Sequence, residues 1–157
     1  MKTVLETHEL YMKLAIEEAV MAARAEEVPV GAVLVDEFGN VLARDRNRVI
    51  SLCDPTAHAE MLVLRKAAEI LTNYRLLNTA LYVTVEPCVM CMGAVIHARV
   101  STVVFGAMDP RWGAAGSLYN FAENAGLNHK PEIINGICRD ECRNLIQSFF
   151  REKRNGA

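Results

Sequence analysis

His58-Ala59-Glu60 and, further along, Pro87-Cys88-Val89-Met90-Cys91 supply the residue types that hydrolytic metal chemistry needs. One imidazole and two thiolates hold a zinc ion and leave its fourth position open, and an open zinc carries water that can serve as the reagent. Cys88 and Cys91 stand at i and i+3, so on a helix they share a face and bind one metal together. His58 and Glu60 stand at i and i+2, about 200° apart around an ideal helix, which keeps them from ligating the same ion. The economical assignment is His58, Cys88 and Cys91 as ligands of one zinc per chain, with Glu60 as the proton carrier. Two thiolates and a neutral imidazole cancel the charge of Zn²⁺. The bound water is then acidified less than on a three-histidine zinc, where its pKa falls to about 7, so a carboxylate beside it is required. A structural zinc would want a fourth protein ligand. Cys53, Cys138, Cys142, His8, His97 and His129 are available in principle, and none stands at a motif spacing to the first three.

Both halves of this constellation have to sit at helix starts, where free N–H groups and the positive dipole end favour thiolate over thiol. Asp54-Pro55 reads as an N-cap with proline at the first helical position, ahead of Met61, Leu62, Leu64, Ala67, Ala68 and Leu71. Glu86-Pro87 reads the same way ahead of Val89, Met90, Met92, Ala94, Val95 and Ile96. Before them, helical periodicity runs from about Glu9 to Arg24. Val30 to Val35 is a continuous apolar run, as a strand covered on both faces requires. Glu37-Phe38-Gly39-Asn40 turns the chain into a second hairpin arm, Val41 to Ile50. Ala80–Val85, Thr102–Phe105 and a short Glu132–Ile134 read as three more strands, with a Gly/Ala-rich loop over Gly106–Ser117 and a closing helix over Asp140–Arg154. The expectation is an α/β fold in three layers, a mixed sheet of about five strands with helices on both faces and the site at one sheet edge.

Length and composition narrow the rest. The 157 residues are read as one domain, 1–157, with a sizeable core. No apolar run approaches the roughly 18 residues that would span a membrane, and Met1 to Leu10 lacks a signal-peptide core. A cytoplasmic location is expected, and five cysteines with two engaged as thiolates suit a reducing compartment. A net charge of −2 argues against broad, non-specific nucleic-acid binding. Two local basic rows remain, Arg44/Arg46/Arg48 and Arg151/Lys153/Arg154, and each has a solvated-face reading beside a binding one.

Pro87-Cys88 through Cys91 with His58-Ala59-Glu60 resembles the cytidine and nucleotide deaminase superfamily. Further segments tighten the resemblance to bacterial tRNA-specific adenosine deaminases: Val28-Pro29-Val30-Gly31-Ala32-Val33, Asp54 to Glu60, Leu81 to Cys91, Gly106-Ala107-Met108-Asp109, Gly113 to Ser117, and the closing Phe149-Phe150-Arg151. The resemblance implies a homodimer of the cytidine deaminase fold with parallel fourth and fifth strands. It implies zinc-dependent hydrolysis of adenosine to inosine at the wobble position of a tRNA anticodon, the arginine tRNA with an ACG anticodon in particular. Attack would fall on C6 of the adenine, with Glu60 carrying protons to N1 and to the departing ammonia. By position, Asn47 would contact base and sugar, Ala59 would offer a backbone N–H to the base, and Val30 would pack on the base plane. Asp109 would lie near the anticodon backbone, and Phe149, Phe150 and Arg151 would meet the anticodon stem-loop. Met108 and Trp112 depart from the family pattern; Trp112 either stacks on a base or covers its loop.

Two other functions use the same residues. A guanine, cytosine or nucleoside deaminase would keep the zinc and Glu60 without needing the 106–117 loop or the basic carboxyl end. A zinc-stabilised RNA-binding subunit would have no use for Glu60.

Overall fold

The computed structural model describes residues 1–156. The element order is α1 (Val4–Arg24), β1 (Gly31–Val35), β2 (Val41–Arg46), α2 (Ala59–Leu71), β3 (Ala80–Val85), α3 (Val89–Ala98), β4 (Thr102–Ala107), a 3₁₀ turn (Phe121–Glu123), β5 (Glu132–Ile134) and α4 (Arg139–Gly156). The strands form one sheet in the order β2-β1-β3-β4-β5. β1 runs antiparallel to both β2 and β3, whereas β3–β4 and β4–β5 are parallel.

Alternation along the strands builds the layers. Ala32, Leu34, Leu81, Val83, Val103 and Phe105 point to the side covered by α2 and α3, where they meet Val63, Ala67, Met92 and Val95. Val33, Val35, Tyr82 and Val104 point to the other side, against Met12, Ala15 and Ile16 of α1 and Cys142 of α4. β1 is buried at every position, which is why it reads as an unbroken apolar run. The three-layer α/β/α arrangement is the one expected.

Several boundaries differ from the sequence expectation. α1 starts at Val4 because Thr3 and Glu6 form a capping box, the Glu6 N–H donating to Thr3 Oγ1 (3.1 Å) and the Thr3 N–H to Glu6 Oε2 (2.9 Å). β2 stops at Arg46, and β4 runs on to Ala107. Neither Asp54 nor Glu86 caps a helix: α2 and α3 begin at Ala59 and Val89, with His58 and Cys88 themselves in the N-cap positions. Asp54 instead closes its own turn, accepting the Thr56 N–H (2.8 Å) and hydroxyl (2.7 Å).

Gly31 shows how tightly α1 lies on the sheet. A Cβ there would meet the α1 backbone at Ala15 O and, at 2.6 Å, at Ala19 N. Gly31→Ala is therefore expected to destabilise the fold by about 1–3 kcal/mol, read as a lower urea midpoint at unchanged m-value.

The sheet order aims the site. β2 and β3 both oppose β1, and β4 follows β3, so β2, β3 and β4 all point one way. Their carboxyl ends, and the amino end of β1, gather at one edge. Val30, Asn47, Glu86 and Asp109 each lie within two residues of one of those strand ends. No described helix is long and apolar enough to cross a membrane.

Candidate active site

At that edge His58 Nδ1 lies 3.6 Å from Cys88 Sγ and 3.5 Å from Cys91 Sγ. The three donor atoms lie within 4.8 Å of one another, the one such His/Cys/carboxylate group among the described residues. Backbone bonds set His58 in place: Arg48 N–H donates to Ala57 O (3.0 Å), and His58 N–H to Thr56 O (2.8 Å). Cys88 and Cys91 occupy the N-cap and third positions of α3.

The electrostatics fit a divalent cation. The Cys88 thiol is pushed down to about 4, first by its hydrogen bond with Cys91 and, against burial, by His58. Cys91 is pushed up, by its hydrogen bond to Cys88, by burial and by the Glu60 charge. His58 is raised by its hydrogen bond with Cys88, which outweighs burial. The protein alone thus stabilises one thiolate and opposes the second. A soft, borderline divalent ion bound by two sulfurs and one nitrogen removes that conflict, and this donor set suits zinc with a position left for a non-protein ligand.

Glu60 is 4% exposed, and its carboxyl is held above the usual range by burial, against the pull of His58. It lines the cavity with His58 and Cys88. A buried carboxyl that resists ionisation beside a metal site is suited to carrying protons.

The cavity over these groups measures ≈ 680 Å³. Val30, Asn47, Ala59 and Asp109 line it, together with Val28, Val85, Glu86 and Trp112, while Cys91 lies buried beneath. Asn47 is 9% exposed, and its Oδ1 is buried without a hydrogen-bond partner. A buried acceptor left unpaired costs stability unless something else fills it. Phe149, Phe150 and Arg151 do not line the cavity. They lie on α4 across the sheet, Phe149 half-buried and Phe150 and Arg151 exposed. The end of α4 nevertheless comes round to this edge, where Lys153 Nζ lies 3.8 Å from Glu26 Oε1, just ahead of Val28.

The other basic row is spoken for. Arg44 pairs with Glu17 (2.8 Å), Arg46 with Glu18 (3.4 Å) and Arg48 with Asp45 (2.7 Å), which favours the structural reading of that row. Of the remaining cysteines, Cys142 is fully buried against Gly106 as a small hydrophobe, its thiol pushed up to about 12 by burial, and Cys53 is exposed.

Glu86 is the residue that sequence reasoning missed. Its buried carboxylate accepts the N–H groups of Asp109, Ala115 and Ser117, each at 3.0 Å, and the Ser117 hydroxyl. The 109–117 loop folds around that one side chain, and Gly113 leaves room for it, because a Cβ there would strike the carboxylate.

Residues 5–107 match the family described as the cytidine and deoxycytidylate deaminase zinc-binding region. The tRNA-specific adenosine deaminase of Haemophilus influenzae is 45% identical over 149 residues, covering 95% of this chain and 86% of that protein. The Bacillus subtilis protein of the same name is 47% identical over 146 residues, 93% of this chain and 90% of that one. A structure from work on A-to-I editing by tRNA:A34 deaminases at the wobble position superposes with a TM-score of 0.84 at 43% identity, covering 87% of this chain and 98% of that one. A guanine deaminase from Nitrosomonas europaea superposes with a TM-score of 0.78 at 26% identity, covering 90% and 83%.

Proposed function

Because the chain belongs to the tRNA-specific adenosine deaminases, within the zinc-binding family of cytidine and deoxycytidylate deaminases, we propose that it converts adenosine to inosine at the wobble position of a tRNA anticodon, with the ACG-anticodon arginine tRNA as substrate. It does so as one deaminase domain, 1–157, in the cytoplasm. The observation that carries the reading is the convergence, in one cavity, of the His58–Cys88–Cys91 donor set, the buried Glu60 carboxyl and the unpartnered Asn47 amide oxygen.

His58, Cys88 and Cys91 would hold the zinc, which would supply Lewis acidity to a water directed at C6 of the adenine. Glu60 takes the proton that water gives up and returns it at N1 of the base. It then relays the second proton to the amino group, which departs as ammonia, so adenosine and water leave as inosine and ammonia. Val30 packs on the base plane, the Ala59 N–H faces the base, and the Asn47 amide exchanges hydrogen bonds with base and sugar. Asp109 and the Phe149-Phe150-Arg151 end meet the neighbouring nucleotides. The approach of α4 to Glu26 supports that last assignment.

The test is to incubate purified protein with an anticodon stem-loop, free adenosine, guanine and cytosine, and to assay inosine and ammonia. Inosine should form in the stem-loop, and free adenosine should be a very poor substrate because it lacks the remote contacts. Turnover of guanine with none of the RNA would assign the chain the activity of its guanine-deaminase neighbour instead.

Asn47→Ala separates binding from folding. Removing a buried, unpaired oxygen should leave the thermal midpoint unchanged or higher, while kcat/KM on the stem-loop falls by roughly 5- to 150-fold, the worth of about 1–3 kcal/mol. A lower midpoint with full activity would make Asn47 a structural residue.

The chain acts as a homodimer. The apolar surface beside α3 supports this, with a ≈ 370 Å³ depression lined by Ile96, His97, Phe121 and Leu127 and with Leu118 and Tyr119 exposed. Sedimentation at micromolar concentration should give twice the chain mass of 17.4 kDa. A monomer with full RNA activity would count against it.

A further inference from the structure

We propose that Trp112 is a stacking platform for a nucleobase adjoining the target adenine, a further binding residue that deepens the RNA reading above and rests on it. Trp112 lines the same cavity as His58 and Glu60, yet its residue is 67% exposed. An indole whose task was to cover the loop would be buried in it; this one stands outside, at the mouth.

Its backbone is nonetheless fixed. The Trp112 N–H donates to Asp109 Oδ1 (3.2 Å), and the Asp109 N–H donates to Glu86 (3.0 Å). On the far side the Ala115 N–H donates to the same Glu86 carboxylate (3.0 Å). The residue is therefore bracketed from both directions by one buried group, so the backbone that carries the ring is held in place before RNA arrives. Arg111 beside it is exposed and can meet the phosphate of the same nucleotide.

The ligand chemistry follows from the site. When a base in a single-stranded loop turns into the pocket, its neighbours lose a stacking partner. Every base has a π-face, so a projecting indole at the pocket mouth accepts one of them without reading its edge.

This is the only tryptophan in the chain, so its emission reports directly on the contact. The zinc-loaded protein is mixed by stopped flow with an anticodon stem-loop bearing the wobble adenosine, and with versions abasic at one or other neighbouring position. Emission should change within the first turnover, and one of the two abasic versions should abolish the change. Trp112→Ala should raise KM for the stem-loop by more than it lowers kcat, by roughly 5- to 150-fold as base–aromatic stacking allows, and Trp112→Phe should recover most of that loss. Unchanged emission on an RNA that is being deaminated would overturn the inference while leaving the deaminase reading intact. So would an emission change indifferent to both abasic sites, or an unchanged KM for Trp112→Ala. Emission that shifts with protein concentration alone would mark the indole as a contact between two copies and overturn it as well. An RNA that binds nowhere and is never deaminated removes the underlying reading together with this one.

Discussion

Cys88→Ala protein is expected to contain less than about a tenth of a zinc per chain and to lose at least about 10⁴-fold in turnover, because the activation of water goes with the metal. Cys88 is the thiol that the protein ionises unaided, so its removal leaves Cys91 as the sole sulfur donor, where burial and the Glu60 charge still oppose its ionisation. Cys91→Ala should give the same metal content for the opposite reason, since the ion then lacks the second sulfur that makes the site soft. Wild-type protein should hold one zinc, with sulfur and nitrogen distances near about 2.3 and 2.0 Å by X-ray absorption. Its zinc affinity should fall as the pH is lowered, because the Cys91 thiol and the His58 imidazolium, both raised, must release protons to bind the ion. Cys142→Ala, on the far face of the sheet, should keep full zinc. Metal-free protein with full activity, or a fourth protein ligand around the ion, would defeat the open-site assignment.

Glu60→Gln should do the reverse: one zinc per chain, an unchanged fold, and a kcat lower by about 10²- to 10⁴-fold, the usual worth of a positioned acid–base group. The amide fills the same space, so the cavity walls stay where they are. It cannot carry a proton, so the transfer to N1 and the exit of ammonia both fail. Burying an amide in place of a carboxyl that resists ionisation should leave the thermal midpoint level or higher. Loss of zinc from Glu60→Gln would make Glu60 a ligand or a support of the ligands, and the role given to it here would be wrong. Measuring metal and stem-loop kcat on the same preparations separates the two variants.

The metal-donor pattern was legible because it is local chemistry: residue types at i and i+3, and a carboxylate at i+2 from a histidine. The layers were legible because a continuous apolar run reports burial directly, as β1 shows. The helix starts were misread because Asp-Pro and Glu-Pro carry the same cap signature whether the acid serves a helix, a turn or a distant loop. Asp54 serves its own turn, and Glu86 serves N–H groups 23 to 31 residues further along the chain. No periodicity reports a partner at that range. The one available signal for Glu86 was the glycine-and-alanine run at Gly113–Ala115, small residues that leave room for a buried side chain. The antiparallel pairing of β1 with β3 was equally out of reach, since it joins strands separated by a hairpin arm and a helix. The unpaired Asn47 oxygen appears only once the cavity does.

The course of α1 and α4 makes the two ends of the chain unequal as attachment points. α1 is 21 residues long, about 30 Å, and its carboxyl end delivers Glu26 and Val28 to the cavity. A cargo joined ahead of Val4 therefore starts about 30 Å from the mouth. To bring a delivery module back to the mouth from that end takes a Gly/Ser tether of about 30 residues. α4 runs the same way, and its carboxyl end brings Lys153 against Glu26. A cargo joined beyond it begins at the mouth itself, where it competes with the substrate for space. The amino end is the one at which this enzyme can be leashed to another molecule without closing its own door.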